Sequence, residues 1–388
     1  MSDVKVTLFS QFLALVDRNE FDKIVKKHGT DKHSKGIDSW THFVAMIFMH
    51  LADANTLRDI SKGLLSATGN LSHLGVERAP SKSAMSYINM NRSYKLFEDL
   101  YFQLLDKYEP SIAHRRLYAR HLKRQIFIMD STVIPLSLSL FDWAKYRTHK
   151  GAIKLHAVLD YDTGLPSYAV ITEGRKHDVK VAKQTAFPAG SVVVADRAYL
   201  DYDWLYNLDS TGAFFVTRLK NNADIAIVQS FLTNDRHDHI LSDEDIQLMG
   251  FYSKKRYPEK LRLVRVHDKE KDRTLLLLTN NMSWTADTVS QLYKARWDIE
   301  SFFKHIKQLL KVKTFVGTSA NAVRIQMWCA MITILLLKYL KQKANYKWHL
   351  SNLVCFIRIN LFVKINLWKW IDKPLIEKAN PPPQLLLF

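Results

Sequence analysis

The run Tyr293-Lys-Ala-Arg296-Trp-Asp-Ile-Glu300-Ser-Phe-Phe-Lys-His-Ile-Lys307 decides how the rest of the chain is read. At about 100° per residue, Tyr293, Arg296, Glu300 and Lys307 fall at roughly 0°, −60°, −20° and −40° around a helix, so the four share one narrow stripe. Leu292, Ile299, Phe303, Ile306 and Leu310 fill the adjoining arc. A helix predicted over residues 286–310 can therefore bury one side on a core while it points a carboxylate flanked by two cations outward. Thr285 is its expected N-cap, with Asp287 in the first turn. Mixed charges on a helix ordinarily mean solvated ion pairs, so Glu300 gains meaning only from partners elsewhere.

Two such partners precede it. Asp130 follows the apolar run Gln-Ile-Phe-Ile-Met and opens Asp-Ser-Thr; Asp196 follows Ser-Val-Val-Val-Ala and opens Asp-Arg-Ala-Tyr. Each is expected at the end of a strand. Alone, such an aspartate is usually a turn or cap residue; with Glu300, the pair makes a set of three hard-oxygen ligands. Phosphodiester cleavage needs charge neutralised on the oxygens and a nucleophile deprotonated, which two magnesium ions can do, with manganese as an alternative. The expected metal ligands and catalytic residues are Asp130, Asp196 and Glu300. Arg296 and Lys307 suit contact with phosphate oxygens, and Tyr293 can donate a hydrogen bond or stack.

Outward from these motifs, short β-branched or apolar runs predict strands at 125–129, 153–159, 167–172, 191–195 and 213–217, with helices at 178–185 and 202–208. The order β-β-β-α-β-α-β is that of a ribonuclease-H-like α/β domain, a fold that by itself decides no activity. Strands at 247–252, 261–266 and 274–279 predict a β-rich insertion. The expected organisation is a helical N-terminal DNA-binding domain over 1–115, a catalytic domain over 116–218 and 285–315, the insertion over 219–284, and a helical C-terminal region over 316–388 for DNA contact or dimerisation. Within the first, Thr56–Leu65 and Ser81–Asn91 are helix candidates. The second carries Lys82, Ser86, Tyr87, Asn89 and Arg92, types that read DNA, although the connection is long for a helix-turn-helix and plain packing is the alternative.

Composition agrees with a nucleic-acid partner. Lys plus Arg number 56 against 38 Asp plus Glu, a net charge of +18 that favours a polyanion through counterion release. The apolar run Met327–Leu337 is short for a bilayer, and the first residues show no secretory pattern, so the expectation is a cytoplasmic, nucleoid-associated protein with no membrane partner. Cys329 and Cys355 are too few for a disulfide framework and are expected to be buried.

The pattern Tyr-x2-Arg-x3-Glu-x6-Lys, met by Tyr293, Arg296, Glu300 and Lys307, resembles the signature of bacterial insertion-sequence transposases of family four. Asp-Ser-Thr at Asp130 and Ala-Asp-Arg-Ala-Tyr at Asp196 look like that family's other motifs, and the likeness is strong over residues 115–315. It implies cut-and-paste movement of an element: binding of double-stranded terminal inverted repeats, synapsis by a homodimer, cleavage to a 3′-hydroxyl, a hairpin at the element's end, and joining to target DNA. A catalytically inactive DNA-binding derivative and a ribonuclease-H-like nuclease without joining activity are the competing readings. Some relatives stack a flipped-out base on a tryptophan in the insertion. Residues 219–283 contain none, which leaves Phe251, Tyr252 and Trp284 as candidates, or as ordinary packing.

His177-Asp178 after Gly174-Arg-Lys resembles a Gly-x2-His-Asp motif and is expected near the metals behind their ligands, with helix capping by Asp178 as the alternative. His237-Asp238-His239 lacks a third ligand at motif spacing and reads as a solvated loop. Lys254-Lys255-Arg256 and Lys341-Lys343 read as exposed charge able to touch a DNA backbone.

Overall fold

The computed structural model describes residues 5–32, 34, 36–67, 69–113, 122–137, 139–147, 150–231, 239–310 and 315–375. His237 and Asp238, and the prolines 381–383, lie outside them. Backbone contacts divide the chain into two units, Met1–Ile112 with Ile306–Phe388, and Ala113–His305.

The first unit is helical throughout its described residues. It begins with α1 (Leu8–Leu13), α2 (Arg18–His28), α3 (Ser39–Ala52), α4 (Leu57–Ser66), α5 (Lys82–Asn91) and α6 (Lys95–Ile112). It ends with α12 (Ala320–Lys343), α13 (Leu350–Ile359) and α14 (Leu367–Asp372). Four of these starts are written locally: Asp17, Asp38, Thr56 and Ser81 accept first-turn N–H groups of the helices they precede, and Thr56 forms a reciprocal capping box with Asp59. The run Met327–Leu337 extends into a 24-residue helix that has the length and composition to cross a membrane. Most of its side chains are buried, and it packs against α3, α5 and α6, as a core helix does. Cys329 is buried there, whereas Cys355 is exposed, against expectation, because it lies on the outer side of α13. On α5, Lys82, Ser86 and Tyr87 are exposed, but Asn89 and Arg92 are interior. Arg92 donates to the carbonyls of Ile37 (2.6 Å) and Asp38 (3.0 Å), so these two residues hold the unit together and do not face a ligand.

The second unit is built on a ten-stranded sheet ordered β2-β3-β1-β5-β6-β10-β9-β8-β7, with β4 also on β3. Its elements are β1 (Ile126–Leu136), β2 (Lys145–Arg147), β3 (Lys150–Asp160), β4 (Leu165–Glu173), α7 (Asp178–Ala182), β5 (Val192–Ala195), α8 (Tyr202–Ser210), β6 (Phe214–Arg218), β7 (Ile225–Phe231), β8 (Ile240–Leu248), α9 (Phe251–Arg256), β9 (Leu261–Asp268), β10 (Arg273–Thr279), α10 (Ala286–Ala295) and α11 (Trp297–Leu310), the last running past the unit's boundary. β1 pairs antiparallel with β3 and parallel with β5, and β5 runs parallel to β6. The β3–β4 turn closes on Gly164 at φ +59°, a conformation glycine adopts without a Cβ clash. The strands of residues 219–284 do not stand apart: β10 pairs with β6, so β10, β9, β8 and β7 extend the same sheet. The strand expected over 247–252 instead ends at Leu248, and Phe251 and Tyr252 begin α9.

Strand alternation gives β1 two different neighbourhoods. Phe127 and Met129 face a core with Tyr199, Trp204, Leu205, Leu208 and Tyr257. Ile126 faces the other, with Val192, Val194, Val289, Leu292 and Tyr293. Helix α10 thus lies on one side of the sheet and α8 on the opposite side. Asp243 and Arg262 form a buried two-pronged ion pair at 2.7 and 2.6 Å between β8 and β9, and Arg262 also donates to the carbonyl of Trp284. This fixes the entry to α10, which Thr285 caps.

In the helical unit, His42 is wholly buried, with Nε2 2.7 Å from Asn89 Oδ1. Burial, aided by the charge of Arg92, lowers its pKa to about 3 despite the Asn89 hydrogen bond. The unfolded chain therefore binds a proton that the folded chain refuses between the ordinary histidine value near 6.5 and about 3. Stability is full above that window and should fall by up to about 1.4 kcal/mol per pH unit within it. Urea titrations of wild type and His42→Gln at several pH values should show a shallower acid loss in the variant.

Candidate active site

Asp130 lies within β1, not at its end, because the strand continues through Ser131-Thr132-Val133 against β3. Alternation then sends Asp130 to the α10 side and Ser131 to the α7 side. Asp196 does follow the last residue of β5, where its Oδ1 accepts the Arg197 N–H at 2.7 Å. The helix expected as one piece over 286–310 is broken at Arg296: the Arg296 N–H bonds to Tyr293 O and the Ile299 N–H to Arg296 O, both at 3.2 Å, a tightened turn between α10 and α11.

The break does not separate the motif residues. Arg296 is only 8% exposed, and its guanidinium donates to Asp130 Oδ2 at 3.1 Å and to Glu300 Oε1 at 2.8 Å. Tyr293 donates its hydroxyl to Asp196 Oδ1 at 3.3 Å. Arg296 and Tyr293, expected to grip phosphates, are thus first of all contacts of the carboxylates themselves. Lys307, two turns beyond Glu300 on α11, is exposed.

Burial pushes the Asp130 carboxyl up to about 6, and the charges of Asp196 and Glu300 push the same way; the Ser131 N–H and Arg296 hold it back. The three acids therefore feel one another's charge. Among the described residues no three His, Cys, Asp or Glu side chains stand in metal-holding geometry as placed, since Arg296 lies between Asp130 and Glu300. Their chemistry nevertheless fits a hard divalent cation. All donors are carboxylate oxygens, and Asp196 Oδ2 and Glu300 Oε2 carry no hydrogen bond among the described residues.

On the other face of β1, Ser131 Oγ donates to Asp178 Oδ1 at 2.6 Å. Lys154 Nζ is 3.3 Å from Asp178 Oδ2, and His156 Nδ1 is 3.3 Å from its Oδ1. Burial opposes ionisation of Asp178, but His156, Ser131 and Lys154 outweigh it and lower its pKa to about 2. Asp178 is thereby joined to the residue after Asp130. His177 points to solvent, and His156, which lies fully buried on β3, is the histidine of this cluster. Lys154 and His156 alternate along β3 with apolar residues, a pattern that the sequence reading took simply as strand.

Trp297 was also missed. It is 43% exposed beside Arg296, at the rim of a cleft of about 460 Å³ also lined by Arg218, Arg273 and Lys294. Its position in the motif run was visible, but not its exposure. Of the other aromatic candidates, Trp284 packs against Phe214 with centroids 5.4 Å apart, and Phe251 and Tyr252 lie on α9, which packs on α8 at the opposite face of the sheet.

Residues 121–336 match the family described as Transposase DDE domain, and residues 4–77 match Domain of unknown function (DUF4372). A Sinorhizobium fredii protein named as transposase y4zB is 30% identical over 263 residues, 67% of this chain and 71% of the relative. A Geobacillus stearothermophilus protein named as a transposase for insertion sequence element IS5377 is 30% identical over 233 residues, 60% of this chain and 61% of the relative. A Synechocystis protein named as a transposase for element IS4SA is 27% identical over 265 residues, 66% and 71% of the two chains.

Two outcomes follow from the geometry. With chelator present, Arg296→Gln should raise the Asp130 pKa above about 6, because a neutralising charge is lost. Carbon-13 carboxyl titration reads this directly, and a fall toward ordinary aspartate values would contradict the arrangement. Asp178→Asn should cost about 3 kcal/mol of stability, since it leaves Lys154 partly buried without its counter-ion; denaturant melts check it.

Proposed function

Because the Transposase DDE domain match takes in more than half of its residues, the chain belongs to the DDE transposase family, and from that premise we propose that Asp130, Asp196 and Glu300 are its catalytic carboxylates. The observation that carries this reading is the pair of links Arg296–Asp130 and Arg296–Glu300, joined by Tyr293–Asp196, which gathers three acids from β1, β5 and α11 on one side of the sheet. The strand order β4-β3-β1-β5-β6, with β5 and β6 parallel to β1, supports a ribonuclease-H-like catalytic core.

The family depends on divalent metal, and in this proposal Asp130, Asp196 and Glu300 hold two magnesium ions, with manganese as a substitute. When bound, the ions would supply Lewis-acid charge to the phosphate oxygens and acidify the attacking water or hydroxyl. The remaining work falls to the chain's own side chains. Asp178 holds the side chain of Ser131, the residue after Asp130, on the other face of β1. Arg296 balances the charge of the acids and can turn one edge of its guanidinium to a phosphate, and exposed Lys307 lies on α11 for the next phosphate. Trp297, half-exposed beside Arg296, can stack a base extruded from the element's end, as a hairpin intermediate would require.

On this reading the substrate is double-stranded DNA. The helical N-terminal domain, with Lys82, Ser86 and Tyr87 outward on α5, binds terminal inverted repeats; the C-terminal helices contact DNA or a second copy; and a homodimer brings two ends together for cut-and-paste insertion into a target. Residues 219–284 act as the insertion that carries the sheet outward, and the cell's nucleoid is the place of action.

Labelled DNA bearing the gene's own flanking inverted repeats tests the proposal. Glu300→Gln should bind these ends as wild type does and lose about a thousandfold or more in cleavage, equivalent to roughly 4 kcal/mol of transition-state stabilisation. Chelator should abolish wild-type cleavage, and magnesium or manganese restore it. Specific binding without any cut or joined product from wild type would overturn the catalytic reading in favour of a DNA-binding derivative.

A further inference from the structure

Helix α9, Phe251-Tyr-Ser-Lys-Lys-Arg256, projects the most exposed aromatic pair of the described residues: Phe251 is 77% and Tyr252 72% exposed, with ring centroids 5.3 Å apart. Burying neither ring gains nothing for folding, so an exposed pair of this size calls for a partner. At about 100° per residue, the exposed arc reads Lys254, Phe251, Lys255, Tyr252, Arg256 in order, each ring flanked by two cations; Ser253 turns inward and bonds to Gly250 O. Lys254 and Lys255 have no ion-pair partner among the described residues, while Arg256 makes only a 3.6 Å pair with half-exposed Asp203. The patch is rigidly mounted. Tyr257, directly after it, is fully buried and donates to Asp209 Oδ2 at 2.6 Å, and Asp209 is held in turn by Asn280. A cleft of about 670 Å³ opens beside Tyr252, Lys255, Arg256 and Tyr206.

We propose that α9 and this cleft bind an unpaired DNA strand, with Phe251 and Tyr252 stacking on bases and Lys254, Lys255 and Arg256 meeting the phosphates between them. Alternating rings and cations match alternating bases and phosphates only where base faces are free; in a duplex those faces are already stacked on one another, and the two rings would stay in water. A second copy of this chain would have to bring acidic side chains to three neighbouring cations, whereas a nucleic-acid strand carries a phosphate at every step. The surface lies on the sheet face opposite α10, so it is distinct from the carboxylate cluster. The inference rests on the protein acting on DNA, but its test reads binding and not cleavage, so its failure and a failure of the catalytic reading are distinguishable.

The full-length protein is titrated by anisotropy with a labelled oligothymidylate of about 20 nucleotides and with a random duplex of equal length. Phe251→Ser with Tyr252→Ser should weaken oligothymidylate binding at least tenfold, in line with about 1–3 kcal/mol per stacked base, and change duplex binding less than twofold. Lys254→Ala with Lys255→Ala and Arg256→Ala should flatten the log–log salt dependence for the single strand by about 2, three contacts at roughly 0.7 each. These positions are exposed, so both variants should melt as wild type does. Unchanged single-strand affinity in the aromatic variant overturns the proposal, as does an equal loss on duplex. A change of sedimentation from oligomer to monomer with single-strand binding intact would overturn it in favour of a protein interface, and loss of binding to phosphatidylserine vesicles alone in favour of a lipid surface.

Discussion

Like charges can be gathered only where something offsets their repulsion, and here that is the guanidinium of Arg296. Its two donors reach Asp130 on a strand and Glu300 in the first turn of α11, so one side chain fixes the position of α11 against β1. A planar fork can do this where an ammonium could not, since its N–H groups diverge at a set angle toward two acceptors. The tightened turn at Arg296 belongs to the same arrangement: it lets α10 keep Val289, Leu292 and Tyr293 on the sheet while Glu300 is presented from a helix with a different start.

Strand β1 is the other half of the constraint. It is an interior strand, between β3 and β5, and serves both faces by alternation. Asp130 looks to the motif helices, and its neighbour Ser131 looks to Asp178, Lys154 and His156. The two polar sites on opposite sides of the sheet are therefore linked through one peptide unit. The same division puts α9, with its exposed rings and cations, on the α8 side of the sheet, so the second unit has chemically distinct surfaces front and back.

Much of this could be read in the chain before any coordinates. Apolar runs of strand length gave β1, β3, β4, β5 and β6, and the local cap at Thr285 gave the start of α10, because both signals act within a few residues. Asp130, Asp196 and Glu300 stood out because carboxylates after buried strands and on an amphipathic helix are few. What failed was whatever depends on the alternative uses of one residue type. Arg92 and Asn89 on α5 have the composition of a DNA-reading face yet serve the interior. His177 was read near the metals and His156 was not singled out, since only the fold brings β3 and its His156 next to Asp178.

The sequence by itself determined that the chain carries two helical regions around an α/β sheet, that it is strongly basic, and which acids and cations form its motif, since periodicity, charge and spacing are local properties. Only the tertiary structure decided that Arg296 binds the acids before any phosphate, that the strands after β6 extend one sheet, and that Trp297 is half-exposed beside Arg296 while Phe251 and Tyr252 lie on the opposite face. Those outcomes depend on which strand pairs with which and on which side of the sheet each helix settles. Such choices are made by burial and hydrogen bonding between residues far apart in the chain.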